Sequence, residues 1–188
     1  MPFNLPNLLT LLRVAAIPMM VLLFYLPPPF SSWGAALLFS AAAVTDWLDG
    51  WLARRAGQMT AFGAFLDPVA DKLIVATALV LLVDRFDDVL MTLCACVIIG
   101  REIVVSALRE WMAQLGRSAT LKVSRLGKWK TGFQMVAIIA LLLLLPDSVP
   151  AIYYWLAQLI LLAAVALTLW SMVIYLQAFA VAVREQDR

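Results

Sequence analysis

Histidine is absent from all 188 residues, and only 14% of them carry a charged side chain. The first absence removes the commonest metal ligand and the commonest general base at neutral pH, so both tasks would fall to carboxylates. The second sits well below the roughly one quarter typical of soluble domains. With 64% hydrophobic residues, the composition is that of an integral membrane protein with no soluble module attached. Cysteine is scarce too. Cys94 and Cys96 lie two apart in an apolar segment, on different sides of a helix, which suits neither a disulfide nor a zinc site and marks both as packing residues. A net charge of +2, with the basic residues gathered at segment ends, gives no reason to expect a nucleic-acid partner. The first apolar segment lacks a basic lead and runs into Pro27-Pro28-Pro29, so it reads as a retained helix and not a cleaved signal.

Apolar stretches fall at 8–26, 33–51, 62–83, 89–107, 132–145 and 152–183. They predict an all-α, polytopic membrane protein with six transmembrane helices in one domain spanning 1–188. The fifth stretch is short and is expected to begin near Val123 or Leu126, and the sixth is long enough to project into water. Pro2, Asn4 and Pro6 suggest a short interfacial lead-in, and Trp33, Trp111 and Tyr153 suggest aromatic belts. Arg54 and Arg55, then Arg109, Arg117, Lys122 and Arg125, then Arg184 and Arg188 share one side of this topology. The opposite loops hold Arg85 among Asp84, Asp87 and Asp88, and later Asp147. The positive-inside rule then places both termini in the cytoplasm, with the chain in a bacterial-type cytoplasmic (inner) membrane.

Against this apolar background stand four carboxylates, Asp46, Asp49, Asp67 and Asp71, flanking the short segment between the second and third helices. An aspartate at the centre of a spanning helix costs about 2.5 to 3.5 kcal/mol, so these acids must lie near an interface, bind cations, or both. Asp46 and Asp49 are three apart and Asp67 and Asp71 four apart, so each pair projects from one side of its helix. Facing pairs would make an oxygen cage suited to hard divalent cations, magnesium or manganese, with room for two ions. The alternative is a set of ion pairs with Arg54, Arg55 and Lys72, but two arginines leave buried charge uncompensated. Arg101, Arg109, Lys122, Arg125, Lys128 and Lys130 fall on the same side as the cage and are suited to bind a phosphate group. For Arg101, an ion pair with Glu102 is an equally good reading.

The run D-x2-D-G-x2-A-R-x8-G-x3-D-x3-D, from Asp46 to Asp71, resembles the signature of the CDP-alcohol phosphatidyltransferase family. The resemblance extends through Asn4 to Arg13, Ser106 to Trp111 and Gly127 to Thr131, and within the family it favours the branch that makes phosphatidylglycerophosphate. It implies transfer of a phosphatidyl group from CDP-diacylglycerol to sn-glycerol 3-phosphate with release of CMP. It also implies that Asp46, Asp49 and Asp67 are the main metal ligands and Asp71 both ligand and general base. Gly50, Arg54 and Thr60 would contact the CDP moiety, with Asn7, Thr10 and Arg13 approaching it from the first helix. Arg101, Arg109, Lys122, Arg125 and Lys128 are then the candidates for the acceptor phosphate. A homodimer is expected on family grounds alone.

Ser106 and Ser124 have no histidine to activate them, which argues against a covalent intermediate. Two other readings stay open. The acceptor could be inositol phosphate, serine or another alcohol, since the motif alone does not choose. Intramembrane carboxylates also mark divalent-cation channels and carriers, although these acids cluster at one end and so offer no path to both faces.

Overall fold

A computed structural model describes residues 5–56, 61–114, 125–146 and 148–186. Among them there is no strand. Six helices follow in order: α1 (Leu5–Phe24), α2 (Ala35–Ala56), α3 (Ala61–Phe86), α4 (Val89–Gln114), α5 (Arg125–Leu143) and α6 (Ala151–Gln186), with a short π-helical turn (Phe30–Gly34) leading into α2. They stand where the six apolar stretches predicted them. α5 begins between the two residues expected, and α1 already includes Pro6, so any lead-in is confined to the first four positions, outside the described residues. Pro68 lies inside α3, after the helix has begun at Ala61.

Long-range contacts fix the direction of each helix. Thr10 meets Asp67, Arg13 meets Asp71 and Tyr25 meets Asp84, so α1 and α3 run parallel. Tyr154 meets Asp88, Arg101 meets Ser171 and Arg109 meets Tyr175, which makes α4 and α6 parallel as well. Arg85, in the last turn of α3, donates to the carbonyl of Leu142 in α5 at 2.6 Å and to that of Ser31 at 2.6 Å. Consecutive helices therefore alternate in direction. The start of α1, the end of α2 and the start of α3 share one end of the bundle with the end of α4, the start of α5 and the end of α6. All four signature aspartates and Glu102 belong to that end.

The turn between α3 and α4 is only two residues long, and each residue has a task. Asp87 adopts φ 43°, the left-handed region that aspartate tolerates better than most residues, and its N–H reaches the carbonyl of Val83 at 3.0 Å, closing α3. Asp88 then caps α4, accepting the N–H of Met91 at 3.1 Å, and its carboxylate also accepts the Tyr154 hydroxyl at 2.7 Å. The Tyr154 bond, followed by the N–H groups of the first turn, holds the Asp88 carboxyl below its ordinary range.

The interior is apolar and closely packed. Phe39, Leu79, Leu82, Ile98, Ile138 and Leu141 are all buried, and small residues such as Ala35, Ala70, Ala78 and Ala164 let helices approach one another. Large apolar side chains also cover the outside: Leu22, Leu37, Phe65, Leu159 and Trp170 are each more than 60% exposed. Trp33, Trp111 and Tyr153, expected in aromatic belts, are exposed too. Among the described residues two stretches, Val89–Gln114 and Ala151–Gln177, are long and apolar enough to cross a membrane. Both cysteines are free: Cys94 is buried, as expected of a packing residue, whereas Cys96 is exposed and does not pack in the interior.

Candidate active site

α1 supplies the side chains around which the acids gather. Thr10 and Arg13, three residues apart and hence on one face, are almost wholly buried. Thr10 Oγ1 donates to Asp67 Oδ1. One turn on, Arg13 Nη1 lies 2.5 Å from Asp71 Oδ1 and 3.2 Å from Asp46 Oδ1, joining α3 to α2. The two rungs exist because the 10/13 spacing of α1 runs alongside the 67/71 spacing of α3. Asp46 and Asp71 keep 47% and 39% of their side-chain surface accessible, so they open toward solvent while the guanidinium between them does not.

The sequence reading put Arg13 at a nucleotide; the structure puts it between two carboxylates. Asp46 and Asp71 come together as expected, with Asp67 beside them through Thr10. Asp49, Gly50 and Arg54 follow Asp46 along α2, and Asn7 lies in α1, although their side chains fall outside the description. Thr60 and Lys122 are outside the described residues. Gly63 is buried within α3.

A cavity of about 160 Å³ opens beside this cluster. Arg13, Asp46, Asp71 and Lys72 line one side of it, and Glu102 of α4 with Thr131 and Gln134 of α5 line the other. Phe39, Ile74, Val75 and Met135 close it with apolar surface.

Behind Glu102 lies a second charged cluster. Its Oε1 accepts from Arg101 Nη1 at 2.7 Å and from Lys130 Nζ at 2.8 Å, and Arg101 Nη2 donates to Ser171 Oγ at 2.8 Å. Lys130 is only 4% exposed. Arg101 thus forms the ion pair that was one of its two readings. Glu102 was legible only as the neighbour of Arg101. That it bridges α4 to α5 through Lys130, 28 residues away, was missed; the one available signal was an acid and a lysine each placed in an apolar helix. Arg109 is exposed and donates to the Tyr175 hydroxyl at 2.6 Å, so it faces α6 as Arg101 does. Arg125 and Lys128 begin α5, their side chains outside the description.

A family model described as CDP-alcohol phosphatidyltransferase matches residues 3–183. The chain belongs to the CDP-alcohol phosphatidyltransferase family. Among the curated members it resembles, the CDP-diacylglycerol–glycerol-3-phosphate 3-phosphatidyltransferase of Pseudomonas fluorescens is 57% identical over 180 residues, 93% of this chain and 89% of its own length. The protein of the same name from Escherichia coli K12 is 55% identical over 178 residues, 95% of this chain and 96% of its own length.

The donor set around Arg13 suits the divalent cations expected in such a transferase. It is all oxygen: Asp46 and Asp71 meet the Arg13 guanidinium and Asp67 is held beside them by Thr10, and hard cations suit such a set of carboxylates. Among the described residues no three acidic side chains close on one point. Arg13 stands between two of them instead, and the carboxylate of Asp49 is not among those described.

Proposed function

We propose that this chain transfers the phosphatidyl group of CDP-diacylglycerol to the primary hydroxyl of sn-glycerol 3-phosphate, forming phosphatidylglycerophosphate and CMP. The observation that carries this reading is the meeting of Asp46, Asp67 and Asp71 with Thr10 and Arg13 at one end of a helical bundle. It occurs in a chain 55% to 57% identical, over nearly its full length, to proteins named for that reaction. In this reading the six helices all cross the cytoplasmic membrane as one domain. Both termini and the acid-rich end face the cytosol, where the nucleotide head group lies, and two copies associate as a homodimer.

Asp46, Asp49, Asp67 and Asp71 would hold two divalent cations, magnesium or manganese. When bound, these would neutralise the pyrophosphate and stabilise charge developing at phosphorus. Asn7, Gly50, Arg54 and Thr60 bind and orient the CDP moiety, Thr10 and Arg13 hold the carboxylates of Asp67, Asp46 and Asp71 in place, and the acyl chains stay among the helices. Asp71 takes the proton from the acceptor's primary hydroxyl. The freed oxygen forms a bond to the phosphorus bearing diacylglycerol, and the bond from that phosphorus to the bridging pyrophosphate oxygen breaks, so CMP departs. Arg109, Lys122, Arg125 and Lys128 draw in the acceptor phosphate. Arg101 contributes mainly charge from behind, because its guanidinium is engaged with Glu102 and Ser171.

The test is CMP release by purified protein from CDP-diacylglycerol with manganese or magnesium, across glycerol 3-phosphate, glycerol, serine and inositol phosphate. Glycerol 3-phosphate should be the most efficient acceptor. If another alcohol is used better, the acceptor is misassigned; if no CMP appears and the protein instead carries manganese across a liposome membrane, the transferase reading fails.

A further inference from the structure

The cavity beside Asp71 has an unexpected far wall. An acceptor that ends in phosphate suggests cations there, yet the polar side chains reaching the cavity from α4 and α5 are Glu102, Thr131 and Gln134. The two cations of that region, Arg101 and Lys130, lie behind Glu102 and both bind its Oε1, at 2.7 and 2.8 Å. They hold the carboxylate in place and balance its charge. Gln134 is one turn beyond Lys130 on α5, is 5% exposed, and lines the same cavity. A carboxylate oxygen repels a phosphate but accepts a hydroxyl proton strongly, and an amide can both donate and accept. Phe39, Ile74, Val75 and Met135 supply apolar surface against which a short carbon chain can lie.

We propose that Glu102 and Gln134 form the subsite for the acceptor's secondary hydroxyl, selecting a polyol phosphate over a simple alkanol phosphate. This rests on the function proposed above. The attacking primary hydroxyl lies at Asp71, the secondary hydroxyl at Glu102 and Gln134, and the phosphate is turned away from Glu102.

The comparison that isolates this contact uses glycerol 3-phosphate and 3-hydroxypropyl phosphate, which keeps the phosphate and the primary hydroxyl but lacks the secondary one. The wild-type protein should prefer glycerol 3-phosphate in kcat/KM by about tenfold or more, the scale of a hydroxyl bonded to a charged group. Glu102→Gln and Gln134→Leu should each cut that preference by about threefold or more, with the KM for CDP-diacylglycerol nearly unchanged. Gln134→Leu leaves the Glu102 ion pairs intact and so decides the matter even if Glu102→Gln does not fold. Equal use of the two acceptors by the wild type overturns the proposal, as do variants that slow both acceptors by the same factor, which would make Glu102 a structural residue only. Failure of the function itself looks different: glycerol 3-phosphate would then support no CMP release at all.

Discussion

Asp71 combines two properties that a base beside a metal requires: contact with a compensating cation, Arg13 at 2.5 Å, and an open side toward the cavity. Asp71→Asn keeps the shape and one ligand oxygen but cannot take the proton. Turnover should fall about 10²- to 10⁴-fold while affinity for CDP-diacylglycerol falls far less, as steady-state kinetics and donor binding would show. Near-wild-type turnover would remove Asp71 from that role. Asp46→Ala or Asp67→Ala should instead abolish turnover and weaken binding of manganese together with the donor, measured calorimetrically. The acids were legible in the sequence because a carboxylate in an apolar helix stands out against its neighbours and its 3 or 4 spacing fixes a face. The partners of Arg13 were not, since one is 58 residues distant and nothing local to Arg13 points to it. Lys130 escaped for the same reason.

At the scale of elements, hydropathy located every helix but cut several of them short. α3 continues to Phe86, where the Asp87 N–H closes it, and α4 to Gln114, both past the apolar stretches, because hydropathy reports the solvent while the helix follows its backbone hydrogen bonds. The caps of the α3–α4 turn are open to test. Asp88→Ala removes the N-cap of α4 and the Tyr154 contact together and should cost about 1 to 2 kcal/mol at neutral pH, read from thermal melting in detergent. Because the folded pKa of Asp88 is depressed, its contribution is fully present above the unfolded value of about 3.9 and is lost as pH falls through the folded value. The wild-type and Asp88→Ala melting curves should therefore draw together only in strong acid. An unchanged gap there would show that the effect is packing alone. α6 has 36 residues. At 1.5 Å per residue that is about 54 Å, longer than a hydrocarbon core of about 30 Å, so in the proposed topology the turns beyond Tyr175 and Phe179, which meet Arg109 and Trp111, would extend past the membrane.

For the whole molecule, alternating helices bring every catalytic and basic candidate on the described helices to one end, and the proposed chemistry requires that end to face the cytosol. Single cysteines at Gly57 and Ser118 should label from the cytoplasmic side of sealed vesicles, and one at Asp87 from the other side. Reversed labelling would separate the site from its nucleotide supply. The alternation was legible from the basic residues at segment ends. The way α4 and α5 turn Glu102 and Gln134 toward the acids was not, since it depends on how the helices rotate against one another. The central claim is a single, direct transfer to glycerol 3-phosphate at the acid-rich end, and the stereochemistry at phosphorus tests it most directly. With CDP-diacylglycerol made chiral at the phosphorus bearing the lipid, the phosphatidylglycerophosphate formed should show inversion, since the acceptor oxygen enters opposite the departing CMP. Retention, the mark of two successive displacements through a phosphatidyl-protein intermediate, would contradict it.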